Sequence, residues 1–118
     1  MLTGEPPAPF DQGTAWAILA AIGGNLKQAR RAAGLTQAEL GARAGIGTAV
    51  LCRLELGKRM PTLLLVAQVC AGLGTSPTVV IEQALREVFP IGDQPWNTYP
   101  GSLMPLPEPT SNWSGNQT

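Results

Sequence analysis

Apolar residues recur at intervals of three and four positions through the middle of the chain, which is the spacing of one buried face of an α-helix. Five such segments lie between about Thr14 and Phe89, and none alternates apolar and polar residues as a half-buried strand does. The pattern therefore predicts an all-α domain. The predicted buried positions are Leu19, Ile22, Leu26, Ala29 and Ala33 in the first helix, Val50, Leu51 and Leu54 in the third, Leu63, Val66, Ala67, Cys70 and Leu73 in the fourth, and Val80, Ile81, Ala84, Leu85 and Val88 in the fifth.

Capping residues indicate where the predicted helices begin and end. Residues 36–39 read Thr-Gln-Ala-Glu, a capping box that begins helix two at Gln37. Glycines follow the expected carboxyl ends of the helices, and Ser76-Pro77 begins the fifth helix. Helix two is expected over residues 37–44 and helix three over about 48–56. Gly23 and Gly24 each weaken helix one by about 1 kcal/mol, so the pattern does not define its start.

The two ends of the chain differ in composition from the helical middle. Residues 1–13 hold three prolines and two glycines without a period, and predict a flexible arm. Residues 90–118 hold six of the 11 prolines among serine, threonine and asparagine, and predict a Pro-rich, disordered tail. One domain is therefore expected over residues 14–89.

The net charge of zero conceals an uneven distribution. Residues 27–59 carry seven basic and two acidic side chains, whereas the rest of the chain carries one basic and six acidic side chains. A basic segment within an acidic frame can steer a polyanion to one face. A solvated helix face has the same composition, so charge alone leaves both interpretations open.

Residues 37–56 form two short helical segments around a glycine turn. Leu40, Ile46, Leu51 and Leu54 are expected core anchors, and Gly45 suits a turn that needs positive φ. Gly41 is expected to be small because helix three crosses close over it. These constraints at fixed offsets indicate a DNA-binding helix-turn-helix, with a purely structural αα-corner as the alternative.

Four separate elements of the chain resemble one known family. They are Leu26-Lys27-Gln28-Ala29-Arg30, Gly34-Leu35-Thr36-Gln37-Ala38-Glu39-Leu40, Arg53-Leu54-Glu55-Leu56-Gly57-Lys58-Arg59-Met60-Pro61 and Leu73-Gly74. Together they resemble the Cro/C1-type (XRE-like) helix-turn-helix family. The resemblance implies a five-helix lambda-repressor-like domain that binds a specific double-stranded DNA sequence and regulates transcription. We expect a repressor of bacterial or phage type that reads the major groove with residues 48–56.

The resemblance also implies base contacts from the outward face of helix three. An arginine fork can donate two hydrogen bonds to guanine, and an alanine methyl can contact a thymine methyl, although Arg53 could equally bind a phosphate. The family's usual polar pair is replaced here by two small residues, and Gly47 stands where a serine or threonine commonly caps. The predicted base-contacting residues are Thr48, Ala49, Cys52 and Arg53.

The resemblance also implies contacts with DNA phosphates and a salt bridge that supports helix three. Thr36, Gln37, Lys58 and Arg59 are predicted to contact DNA phosphates. Gln37 could instead be a simple first-turn polar residue, and the two basic residues could serve only solubility. Arg30 and Glu55 are predicted to form a salt bridge that ties helix one to the end of helix three, with two unpaired surface charges as the alternative.

The expected partners are double-stranded DNA and a second copy of the chain. Helix five with Val88, Phe89 and Ile91 is a candidate dimer surface, and Leu2, Phe10 and Trp16 could equally supplement it. An alternative function is an antitoxin-like or adaptor protein whose tail binds a protein partner while the helix-turn-helix represses its own promoter. The concentration of positive charge around the motif favours the DNA-binding function.

Other functional classes find little support in the composition. The chain has no histidine, no nucleophile paired with a base and no phosphate-cradling glycine loop, so we expect neither catalysis nor a cofactor or metal. Cys52 and Cys70 do not form a metal-binding pair. The early apolar run at residues 16–22 is too short to span a membrane and lacks preceding basic residues. A cytoplasmic, nucleoid-associated protein is therefore expected.

Overall fold

A computed structural model of the chain describes residues 11–90 and Gln94. In this part five α-helices follow one another without a β-strand, which confirms the all-α prediction. Most of the predicted arm and tail lies outside the described residues. The helices are α1 Gln12–Ala32, α2 Gln37–Ala44, α3 Thr48–Glu55, α4 Leu63–Leu73 and α5 Pro77–Val88.

The first helix is longer than its apolar pattern indicated. The Asp11 carboxylate accepts a hydrogen bond of 2.7 Å from the Thr14 amide and caps the helix. This backbone hydrogen bond lowers the pKa of the Asp11 carboxyl. Helix α1 therefore includes Gln12 and Gly13, which the composition places in the flexible arm, and it continues through the Gly23-Gly24 pair.

The capping box and the glycine turns form as predicted. Glu39 accepts from the Thr36 amide at 2.8 Å, and the Thr36 hydroxyl accepts from the Glu39 amide at 3.0 Å. The hydrogen bond from the Thr36 backbone lowers the pKa of the Glu39 carboxyl. Gly45 ends α2 with a φ of 74°. Helix α3 follows Gly47 without a side-chain cap, so its amino end is held less firmly than that of α2.

All five helices contribute to one apolar core. Helix α1 packs on α5 and α3, while α2 packs on α4. No single helix within residues 11–90 is long and apolar enough to cross a membrane; α4 and α5 would pass that test only together, with a bend of 115° between them. The buried apolar residues are Ile22, Leu26, Leu40, Leu51, Leu54, Leu65, Val66, Val69, Cys70, Val80 and Ala84.

The predicted buried face of α4 is partly wrong. Leu63 is 78% exposed and Ala67 is also exposed, whereas Leu65 and Val69 are buried beside Val66 and Cys70. The helix reads LLLVAQVCAGL, so it has no continuous polar side from which its buried face could be inferred. In α1 a smaller correction concerns Ala33, which is exposed because it is the C-cap rather than part of the helix.

A buried ion pair joins α1 to the end of α3, which confirms the predicted salt bridge. Arg30 Nε donates to Glu55 Oε2 at 2.7 Å, and a second guanidinium nitrogen donates to Glu55 Oε1 at 3.0 Å. The two side chains are 10% and 1% exposed. Arg30 also donates to the Leu35 carbonyl at 2.8 Å. The hydrogen bonds to Glu55 raise the pKa of Arg30.

Two adjacent leucines test the observed orientation of α4. Leu65 is 8% exposed and Leu64 is 71% exposed. We expect Leu65→Ala to lower the free energy of unfolding by about 2–5 kcal/mol because it leaves a cavity, and Leu64→Ala to change it by less than about 0.5 kcal/mol. Urea unfolding of both variants measures the difference. Equal losses of unfolding free energy in the two variants would contradict an orientation of α4 that buries Leu65 and exposes Leu64.

Two arginines test the energetic role of the buried pair. Arg30→Met leaves the Glu55 carboxylate buried without its cation, and we expect a loss of about 3–5 kcal/mol in the free energy of unfolding. The control is Arg86→Met, which breaks the Arg86–Glu82 pair of 2.9 Å, whose side chains are 55% and 57% exposed. That loss should stay below about 1 kcal/mol. Similar losses in the two variants would show that burial of the Arg30 pair has little energetic effect.

Candidate nucleic-acid interface

The turn between α2 and α3 is held by close backbone contacts. The Ile46 amide donates to the Gly41 carbonyl at 2.9 Å. A Cβ added to Gly41 would lie 2.8 Å from the Ile46 carbonyl oxygen but 3.8 Å from the Thr48 amide. The absence of a side chain at Gly41 is therefore required mainly by the turn backbone at Ile46. This corrects our prediction that the crossing of α3 over Gly41 requires the small residue.

Helix α3 presents two different faces. Leu51, Leu54 and Glu55 are buried against the other helices. Thr48, Ala49 and Arg53 are exposed, and Cys52 is half-buried with a free thiol. All four predicted base-contacting residues thus lie away from the core, at i, i+1, i+4 and i+5 on the helix.

The residues predicted to bind phosphate lie at the two ends of the helix-turn-helix. Thr36 is exposed and Gln37 is half-buried at the amino end of α2, while Lys58 and Arg59 are exposed in the segment after α3. Gln37 has a contact that sequence reasoning missed, because its Nε2 donates to Glu55 Oε1 at 2.9 Å. The partners are 18 residues apart, and no local pattern connects them. An amide nitrogen has two hydrogens, so this bond leaves one donor of Gln37 for a phosphate.

The acidic side chains of the basic segment are already engaged within the protein. The Glu55 carboxylate forms an ion pair with Arg30, and the Glu39 carboxylate accepts a hydrogen bond from the Thr36 amide. Within residues 11–90 no ion pair involves the other cations of the segment. The exposed cations are therefore available to a polyanion, and they are Arg31, Arg43, Arg53, Lys58 and Arg59.

An exposed apolar group near the end of α3 was also missed by sequence reasoning. Its four members lie within nine residues, next to the cations at positions 58 and 59. The predicted core position Leu63 belongs to this group, because the apolar α4 pattern extends beyond the part that is buried. The group consists of Leu56, Met60, Leu63 and Leu64.

Comparison with known proteins gives consistent matches over this region. The helix-turn-helix domain family model matches residues 21–83, which is just over half of the chain's 118 residues. A Sinorhizobium fredii protein named as the uncharacterized HTH-type transcriptional regulator y4dJ is 40% identical over 55 residues, covering 47% of this chain and 71% of that protein.

Two solved structures are similar in fold. The clp gene regulator ClgR of Corynebacterium glutamicum superposes with a TM-score of 0.55 at 31% identity, covering 57% of this chain and 87% of that chain. The restriction-modification controller protein C.AhdI of Aeromonas hydrophila gives a TM-score of 0.53 at 26% identity, covering 54% of this chain and 97% of that chain. These matches confirm the expected lambda-repressor-like arrangement of five helices. The chain therefore belongs to the helix-turn-helix family of DNA-binding transcriptional regulators.

Proposed function

We propose that the chain binds a specific double-stranded DNA sequence by placing α3 in the major groove, and that it thereby represses transcription. The single observation that carries this proposal is the two-sided α3, whose buried face is fixed by the core while Thr48, Ala49 and Arg53 face outward. The major groove of B-DNA is about 12 Å wide and admits an α-helix. As a bacterial or phage-type regulator, the protein would act in the cytoplasm on nucleoid DNA, by binding and without catalysis.

The outward residues divide into base-reading and phosphate-binding sets. Arg53 is the longest donor on the outward face and can bond guanine O6 and N7. Thr48 and Ala49 are short, so they suit close approach and contact with thymine methyl groups, and Cys52 contributes at the edge of this face. Thr36, Gln37, Lys58 and Arg59 would hold the phosphates on either side. Base discrimination would consequently depend strongly on Arg53.

Charge supports the DNA-binding role more than an adaptor role. The exposed cations flank α3, whereas the acidic residues of the same segment are bonded internally. A pure protein-binding module has no need for this arrangement. A protein partner bound through the tail at residues 90–118 remains a prediction that, apart from Pro90 and Gln94, lies outside the described residues.

A homodimer would place two copies of α3 about 34 Å apart on a palindromic site. Val88 and Phe89 of the predicted dimer surface are half-buried, while Val79 on α5 and Trp16 on α1 are exposed. Leu2, Phe10 and Ile91 lie outside the described residues. We propose that the exposed α5 face around Val79 supplies the contact between copies.

Alanine variants separate base reading from phosphate binding. The target is an operator selected from a random DNA pool, and binding is followed by fluorescence anisotropy at several salt concentrations. Arg53→Ala should cost about 1–3 kcal/mol on that operator and relax specificity at one base pair. Lys58→Ala/Arg59→Ala should weaken binding to all sequences and reduce the salt slope by about two.

Gln28→Ala on α1 is the control for these variants, because Gln28 is exposed and belongs to neither the proposed DNA interface nor the proposed dimer contact. A uniform loss across all sequences for Arg53→Ala would assign Arg53 to a phosphate. If neither set changes binding, the assignment of this interface is wrong. If the unmodified chain binds no sequence preferentially, the proposed function itself fails.

Sedimentation equilibrium tests the proposed dimer. We expect two 12.3 kDa chains on each palindromic operator, and a weaker association for Val79→Ser without loss of folding, because Val79 is partly exposed. Leu64→Ser, in the exposed apolar group near the end of α3, is the comparison variant. A loss of association confined to Leu64→Ser would move the dimer surface to the exposed apolar group that includes Leu64, and one chain per operator would exclude the dimer.

A further inference from the structure

Helix α1 touches the last turn of α3 backbone to backbone at a glycine. A Cβ added to Gly23 would lie 2.8 Å from the Glu55 carbonyl oxygen and closer still to the Leu54 carbonyl oxygen. Real Cβ atoms do not approach neighbours within 3.0 Å, and backbone carbonyls cannot rotate aside as a flexible side chain can. The adjacent Gly24 differs completely, since a Cβ there meets nothing within 4 Å.

Two further contacts from α1 hold the same end of α3. One turn before Gly23, the Cα of Ala20 lies 3.0 Å from where a Cβ on Gly57 would stand, and Gly57 has a φ of 74°. Two turns after Gly23, Arg30 makes the buried ion pair with Glu55. Positions 20, 23 and 30 share one face of a helix. This face of α1 therefore fixes residues 54–57, immediately after Arg53.

The opposite end of α3 begins at the turn after α2. Gly47 supplies no side-chain cap, and the close contact there is the Ile46 carbonyl over Gly41. Because the carboxyl end is fixed against α1, a change in spacing at Gly23 must displace the turn that carries Arg53. Restoring ordinary contact from 2.8 to 3.4 Å already requires about 0.6 Å of movement, and the Leu54 carbonyl requires more.

We propose that Gly23 is a positioning residue for base recognition: its missing side chain sets the distance between α1 and the end of α3, and so the depth at which Arg53 meets the bases. The inference rests on the proposed major-groove function. Hydrogen bonds from a side chain to a base edge require donor–acceptor distances of about 2.7–3.2 Å. Phosphate contacts from the long side chains at Lys58 and Arg59 tolerate a small displacement better, because these side chains are flexible and exposed.

The test compares Gly23→Ala with Gly24→Ala, which introduces the same methyl group one residue away on the same helix. Thermal unfolding by circular dichroism reports folding, and anisotropy reports affinity for the selected operator and for a scrambled duplex. We expect Gly24→Ala to keep the ratio of the two affinities. Gly23→Ala should reduce that ratio at least fivefold while the salt slope stays within one of the wild-type value. Loss of folded protein alone would lower both affinities equally and leave the ratio unchanged.

The double variant Gly23→Ala/Gly24→Ala guards against simple unfolding, because alanine at Gly24 meets no neighbouring atom and adds helix propensity. An unchanged affinity ratio in folded Gly23→Ala overturns the proposal. Failure of both Gly23 variants to fold also overturns it, since Gly23 would then serve the fold alone. If the wild-type chain itself does not discriminate between the duplexes, the proposed function has failed before Gly23 is tested.

Discussion

The helix-turn-helix of this protein depends on a buried ion pair between residues 25 positions apart. Desolvating a guanidinium and a carboxylate is unfavourable, and the Arg30–Glu55 pair is tolerable because its hydrogen-bonding groups are well satisfied. Two bonds join the partners, the Leu35 carbonyl takes a third from Arg30, and the Gln37 amide donates to Glu55. The network connects α1, the start of α2 and the end of α3. Contacts on the buried side of α3 therefore fix the orientation of its outward face.

This support is consistent with the modest chemistry of the proposed DNA-reading face of α3. Thr48 and Ala49 offer short contacts, and Arg53 is the main long donor of α3. A protein with few base contacts gains specificity only if each is well placed, because a hydrogen bond weakens steeply with misalignment. Close backbone packing of α1 on α3, together with the buried pair, would supply that placement without adding any group to the proposed DNA-facing surface.

Local features of the fold were predictable because their causes are local. A capping box acts between Thr36 and Glu39, and a left-handed turn at Gly45 depends on the absent Cβ of one residue. Helices α2 and α3 therefore appear at the predicted positions. The Arg30–Glu55 pair was predictable for a different reason, since it followed from a family resemblance that carries tertiary information.

The order and type of the helices, the capping box of α2 and the outward residues of α3 were determined by the sequence itself, through periodicity and local hydrogen bonding. Tertiary structure alone decided which side of the nearly all-apolar α4 is buried, since packing in the common core buries Leu65 and Val69 where the pattern offered Leu63 and Ala67. It also decided that Gln37 bonds Glu55 and that Gly23 meets the end of α3. These contacts join residues distant in the chain, and no local spacing encodes such a distance.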